Sequence, residues 1–358
     1  MSNSICAFPW VGAAIRPNGI ILPCCKFNHN SEFGNVNDID PRDSLQWNTL
    51  RDDMLQGKPI SNCQSCYRDE ISGIKSLRQE SLELYSPTDN HSIPLQYLEV
   101  SFDNKCNLAC VMCSEEFSTK WQTEKRKHRG LIAKGVVQHG FDYLNWDLSN
   151  VTKLKIIGGE PMMSQDKFIE LLQQLNLKNL HVIVATNGTI LPTGSLKYLL
   201  EQCASVSYKL SLDGVGPVND WIRWPSRFSD IENNIAVLES WWRDNTKIDL
   251  QFHTVISIYN IFYLDDLIRF IKTHDRWKVT FNWITYPSWQ ALAVLPDKAN
   301  IVKELSRLAN EYTLEPNPFL ISIDRLADKN TSDWNDAIRE TKRLIGERNI
   351  SPIGFSVD

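Results

Sequence analysis

The feature that most limits this chain is Cys106-Asn107-Leu108-Ala109-Cys110-Val111-Met112-Cys113, a C-x3-C-x2-C run. It follows Leu95-Gln96-Tyr97-Leu98-Glu99-Val100-Ser101-Phe102, whose alternation and apolar, aromatic content predict a β-strand. The thiols therefore belong to a loop leaving a strand's C-terminal end, where α/β folds place their chemistry. Three close thiolates can hold three irons of a [4Fe–4S] cube and leave the fourth iron open to another ligand. A structural cluster or a structural zinc normally takes four protein ligands. On spacing alone, a zinc site or buried structural cysteines are the alternative readings.

From residue 95 onward, strand-like and helix-like stretches alternate as a parallel α/β sheet requires. Strands are expected over 95–102, 152–157, 180–186, 205–212, 248–256 and 278–284. Helices are expected at about 115–134, 163–175, 195–203, 228–243, 262–273 and 297–313. The second strand runs into Gly158-Gly159-Glu160-Pro161. There two glycines let the backbone approach a ligand, and a carboxylate can accept from an ammonium group. The third strand ends in Thr186-Asn187-Gly188. The fourth ends in Ser211-Leu212-Asp213-Gly214, with Asn219 and Arg223 downstream; Asp213 and Arg223 could equally be a surface pair. On the fifth, His253 reads as a satisfied histidine rather than a base, and Val255 as core or as a ligand contact. Past residue 313, Asn317-Pro318-Phe319 breaks the pattern, and 332–349 reads as a terminal helix with a solvated, charged face.

Residues 1–90 read as a separate cysteine-bearing unit. Pro17-Asn18-Gly19 is a turn signal that suggests a hairpin presenting Cys24 and Cys25. A helix from Ser44 to Leu55, opened by a serine cap, comes next. Cys63-Gln64-Ser65-Cys66 is a C-x2-C knuckle that can aim two sulfurs at one metal centre. Five thiols exceed the four that one centre needs. Cys6, Cys24, Cys63 and Cys66 are the chosen set, because adjacent Cys24 and Cys25 cannot easily aim at one iron together; Cys25 is the spare or the substitute for Cys24. A zinc ribbon is the alternative here. Glu70 to Glu83 reads as a polar helix and Ser86 to His91 as a linker.

The C-x3-C-x2-C loop followed by Gly-Gly-Glu-Pro resembles the radical S-adenosylmethionine (SAM) enzymes. That resemblance implies an α/β fold: a partial (β/α)6 TIM-like barrel, here preceded by a small cysteine-rich auxiliary-cluster domain. It implies that Cys106, Cys110 and Cys113 hold a SAM-binding [4Fe–4S] cluster. Gly158, Gly159, Glu160 and Pro161 would grip SAM's amino group, with Asn187 near the same pocket. Ser211 would reach the ribose and Arg223 the carboxylate, while Met112 and Val255 would lie against adenine; the family more often has an aromatic residue at the Met112 position. The N-terminal cysteines, with the Gly19-to-Cys24 step, resemble the SPASM/twitch domain, which usually follows the barrel. One auxiliary [4Fe–4S] cluster is implied. The expected division is 1–90 auxiliary domain, 91–315 barrel and 316–358 C-terminal extension. The implied activity is hydrogen abstraction by a 5′-deoxyadenosyl radical, with oxidative modification of a peptide as the leading use. An external one-electron reductant such as flavodoxin or ferredoxin would serve it. A dehydrogenase or epimerase of a sugar, nucleoside or other small metabolite is the runner-up. Asp213, Tyr208 and Tyr286 are the catalytic candidates, by their places near strand ends.

The net charge of −5 over 358 residues gives no reason to expect nucleic-acid or membrane binding. With neither a long apolar run nor a signal-peptide pattern, the expected location is the cytoplasm. There, nine cysteines in clusters point to metal rather than disulfides. Outside catalysis, an Fe–S electron carrier or a zinc-binding interaction protein would use some of the same residues.

Overall fold

Among the described residues the chain has eight strands: β1 Gly12–Ile15, β2 Ile21–Leu22, β3 Tyr97–Ser101, β4 Lys153–Ile157, β5 His181–Thr186, β6 Ser205–Ser211, β7 Ile248–Ile256 and β8 Trp277–Trp283. The computed structural model describes residues 4–27, 33–37, 40–132, 135–138, 146–315, 317–328 and 330–354. The strands form one sheet in the order β2-β1-β3-β4-β5-β6-β7-β8. β1 and β2 pair antiparallel, whereas β1–β3, β3–β4, β4–β5 and β7–β8 are parallel. Strands β3 to β8 are thus the six expected from the sequence, in the open order of a partial barrel. In β7, residues are alternately buried and half-buried from Ile248 to Ile256. One face packs as core and the other carries polar groups, the period-two pattern of a strand.

The helices are α1 Phe8–Val11, α2 Leu45–Leu55, α3 Gln64–Ile71, α4 Leu77–Ser81, α5 Thr119–Arg129, α6 Gln165–Gln173, α7 Gly194–Gln202, α8 Pro217–Ile222, α9 Phe228–Trp242, α10 Leu264–Lys272, α11 Lys298–Glu311, α12 Pro318–Arg325 and α13 Trp334–Arg348. Two differ from expectation. The polar helix expected over Glu70 to Glu83 is two helices, α3 and α4, because Gly73 at φ +73° breaks the run and Ser76 opens a new capping box. Helix α5 stops at Arg129, earlier than expected, because Gly130 takes the left-handed C-cap conformation.

Contacts cluster into two compact units. One comprises Met1–Lys105, Val136–Ala185 and Pro192–Ser207; the other comprises Cys106–Gly135, Thr186–Leu191 and Tyr208–Asp358. These boundaries differ from the expected ones at 90 and 315. The N-terminal segment shares a core with β3 because β1 pairs along it, from Gly12 opposite Tyr97 to Ile15 opposite Val100. Strand alternation alone does not reveal that partner. Among the described residues, no helix is long and apolar enough to cross a membrane.

Candidate functional site

The cysteine loop follows β3 and has no ladder of its own, so its backbone groups need partners elsewhere. Ala109 N–H donates to the Trp224 carbonyl at 2.7 Å, and Val111 N–H to the Ile222 carbonyl at 2.8 Å. Side chains also donate to its carbonyls, Thr119 Oγ1 to Cys106 at 3.2 Å among them. Arg348 Nη2 reaches Ala109 at 2.6 Å and Gln290 Nε2 reaches Val111 at 2.6 Å; Trp121 Nε1 reaches Cys110 at 2.8 Å and Ser118 Oγ reaches Leu108 at 2.5 Å. The loop is therefore held in shape by protein alone.

Donors also surround its sulfurs. Asn187 Nδ2 lies 3.9 Å from Cys106 Sγ and 2.9 Å from Asn107 Oδ1, and Arg223 Nη1 lies 4.0 Å from Cys110 Sγ. Burial pushes the Cys113 thiol up, and Cys110 and Cys106 push it further. Burial therefore keeps these thiols protonated until a cationic centre takes them as thiolates and releases their protons. Among the described residues, no three His, Cys, Asp or Glu side chains converge as a set for one metal ion. A four-iron cube takes one sulfur per corner, so its donors stand further apart than those around one ion with bonds of about 2.3 Å. Three thiolates on one loop are the donor type that such a cube takes at three of its corners.

Arg223 has its own support in the same unit. Asp213 is fully buried and meets the guanidinium at 2.8 Å, while its Oδ1 accepts from Val255 N–H at 2.7 Å. Asn219 Oδ1 accepts from Asp213 N–H at 3.2 Å, and Asn260 Nδ2 donates to the Asp213 carbonyl at 2.9 Å. The Asp213 charge therefore keeps Arg223 protonated and above its ordinary range despite burial. Met112, Ser211 and Val255 are each half-buried.

In the other unit, the Gly-Gly-Glu-Pro turn leaves β4. Gly158 has φ +120°, and a Cβ there would stand 2.8 Å from Ser101 Cβ. At Gly159 a Cβ would lie 2.1 Å from the Lys105 carbonyl oxygen, so only glycine lets the turn pass. Glu160 N–H donates to that same carbonyl at 2.6 Å, one residue before Cys106 in the chain. The Glu160 side chain is buried, and its Oε1 accepts from Met162 N–H at 3.0 Å, at the start of a short turn opened by Pro161.

The same unit gathers the N-terminal thiols. Cys6 precedes α1, Cys24 follows β2, and Cys63 and Cys66 bracket the start of α3. Burial pushes Cys24 well up, and Cys25, Cys6, Cys66 and Cys63 all push it further. Burial, with Cys6 and Cys66, pushes Cys63 up to about 12, and burial takes Cys6 to about 11. Cys6 Sγ lies 3.4 Å from Ser81 Oγ. Cys25 differs: after burial, the groups acting on it are Glu99 and Lys155.

The three catalytic candidates are not brought together. Tyr208 is buried edge-on to Trp242 at 5.2 Å, on the helix-packed face of β6. Asp213 is occupied by Arg223 and Val255, and Tyr286 is 80% exposed. Residues the sequence reading passed over matter more. Arg348, on the terminal helix expected to be a solvated face, is buried over Trp121 and Trp224, with centroids at 4.9 and 5.1 Å. Gln290 and Ser118 also hold the loop, and Arg78 is a cation acting on Cys6 and Cys63. No spacing rule flags a lone Arg or Gln. The capping serine before Trp121 was the one available signal.

With this geometry in view, the chain can be compared with known proteins. A SPASM family model, described as an iron-sulfur cluster-binding domain, matches residues 6–67. A 4Fe-4S single cluster domain model matches residues 99–212. A probable GTP 3′,8-cyclase of Methanocaldococcus jannaschii is 27% identical over 51% of this chain and 57% of its own length. A GTP 3′,8-cyclase of Petrotoga mobilis is 26% identical over 36% and 38% respectively. The chain thus spans little more than half of the first of these relatives and less of the second. A solved structure of native anSMEcpe with bound AdoMet is 19% identical, with a TM-score of 0.43 over 70% of this chain and 67% of that one. Between them these matches name a 4Fe-4S cluster, an iron–sulfur cluster-binding domain and, in that solved structure, bound AdoMet. Iron–sulfur family models thus match both cysteine sets of the chain, the N-terminal set as a SPASM domain and the loop set as a 4Fe-4S single cluster domain.

Proposed function

We propose that this protein cleaves SAM reductively and uses the product to abstract hydrogen from a peptide, completing an oxidative modification with an auxiliary cluster as electron acceptor. The observation that carries this reading is the pinned loop with three thiols and no fourth protein ligand of its own. Cys106, Cys110 and Cys113 would hold a [4Fe–4S] cluster, which when bound would supply the electron for reductive cleavage of SAM. The chain's own part is to hold, orient and dry the reactants. Arg223, fixed by Asp213, offers a charged donor to SAM's carboxylate; Gly158, Gly159, Glu160 and Pro161 shape the place for its amino group. Asn187 orients the loop through Cys106 and Asn107. Met112 and Val255 offer packing surface for adenine, and Ser211 a hydroxyl for the ribose. Cys6, Cys24, Cys63 and Cys66 are assigned to the auxiliary cluster. The protein works in the cytoplasm, with a flavodoxin or ferredoxin as reductant.

Support for a peptide comes from the auxiliary-cluster domain. The curated relatives, named as GTP 3′,8-cyclases, favour a second reading in which the substrate is a nucleotide. Anaerobic reconstitution followed by dithionite and SAM tests the core reading, with 5′-deoxyadenosine as the expected product and no formation of it as the refuting result. Adding GTP separates the two substrates. Consumption of GTP supports the nucleotide; a mass change in a candidate precursor peptide supports the peptide.

A further inference from the structure

Cys24 and Cys25 are neighbours in the chain and equal as donors, yet the fold gives them different surroundings. Cys24 feels Cys6, Cys63 and Cys66, whereas Cys25 meets a charged pair on the sheet. Lys155 on β4 donates to Cys25 Sγ at 3.3 Å and to Glu99 Oε2 at 3.0 Å. Glu99 on β3 is the direct register partner of Lys155, and its Oε2 also accepts from Tyr97 O–H at 3.0 Å. The ammonium is therefore fixed between two adjacent strands and a buried carboxylate, and it reaches the thiol from rigid backbone.

We propose that Lys155, anchored by Glu99, holds the Cys25 side chain away from the auxiliary cluster and so selects Cys24 as its ligand. This rests on the reading of the N-terminal thiols as an iron–sulfur site. Adjacent residues project their side chains differently, so only one can face a given corner, and a hydrogen-bonded cation is a simple way to settle which. Lys155 is thus a positioning residue, acting through Cys25 rather than on substrate.

The full-length chain, reconstituted anaerobically, decides the matter by iron and sulfide per chain and by the electron paramagnetic resonance of the reduced protein. Wild type is expected to hold about eight irons, four per cluster. A wild type with only about four overturns the auxiliary-cluster reading, and this proposal with it. Given eight, Cys25→Ala keeps them and Cys24→Ala falls to about four. Adding Lys155→Met to Cys24→Ala frees Cys25 and restores iron, with a resonance spectrum shifted from wild type; adding Lys155→Arg, which keeps a cation there, does not. Lys155→Met alone, still at about eight irons, shows that the fold tolerates the change. Loss of iron in Cys25→Ala, retention in Cys24→Ala, or a double variant no richer in iron than Cys24→Ala overturns the assignment.

Discussion

The two cysteine sets solve one problem in different ways. Cys106, Cys110 and Cys113 lie on one short loop whose carbonyls are held by Arg348, Gln290, Trp121 and Ser118. Cys6, Cys24 and the Cys63–Cys66 knuckle come from three separate segments, and a β-hairpin, a helix and long connections must be in place before the four can meet. Ligands close in sequence carry little loop-closure entropy, and distant ligands carry more. The first set's ligands are therefore brought together locally, although distant residues pin the loop that carries them, whereas the second set is gathered only by its unit's tertiary structure.

The sharpest way to break that contrast is to remove one ligand from each set. Cys110→Ala should abolish 5′-deoxyadenosine formation and lower iron by about four per chain. Cys63→Ala should lose a similar amount of iron yet still produce 5′-deoxyadenosine from SAM and dithionite. Equal loss of cleavage in both would erase the distinction drawn here.

Next in size is the support under the loop. Asp213→Asn leaves the buried Arg223 cation without its counter-charge, at a cost of about 3–5 kcal/mol in unfolding free energy, read from denaturant melts. The same change should weaken SAM binding, because Arg223 loses its anchor. Gly159→Ala puts a Cβ against the Lys105 carbonyl. It should cost about 3 kcal/mol and slow SAM cleavage with both clusters still loaded. Arg348→Met is the mildest: it strips the Ala109 carbonyl of its donor, for a loss of about 1–3 kcal/mol. It should also lower cluster occupancy at the loop while leaving the N-terminal iron unchanged. A fall in N-terminal iron instead would mean that Arg348 acts on the whole fold.

Much of the molecule can be read from the chain alone. Strand periodicity placed β3 to β8 within two residues of their observed bounds, because a buried face and a polar face alternate at period two. The longer helices between them were equally plain apart from the break at Gly130, α8 was not foreseen, and in the N-terminal segment Gly73 split an expected helix. The pairing of β1 with β3 was not legible, since apolar alternation names a strand and not its neighbour. Nor was the role of Arg348: in sequence it is one charge among many on an amphipathic helix. The packing of Tyr208 against Trp242 was not legible either, because nearness to a strand end in sequence says nothing of which face a side chain takes.

What the sequence determined by itself is the chemistry on offer: a three-thiol loop after a strand, two glycines at a crowded turn, and a second cysteine set ahead of them. Those are local properties, fixed by residue type and spacing. Tertiary structure decided which groups meet — Asp213 behind Arg223, Arg348 on the loop carbonyl, Lys155 on Cys25 rather than Cys24. Such contacts join residues from ten to more than two hundred positions apart, and only the folded sheet and its packed helices bring them within hydrogen-bonding distance.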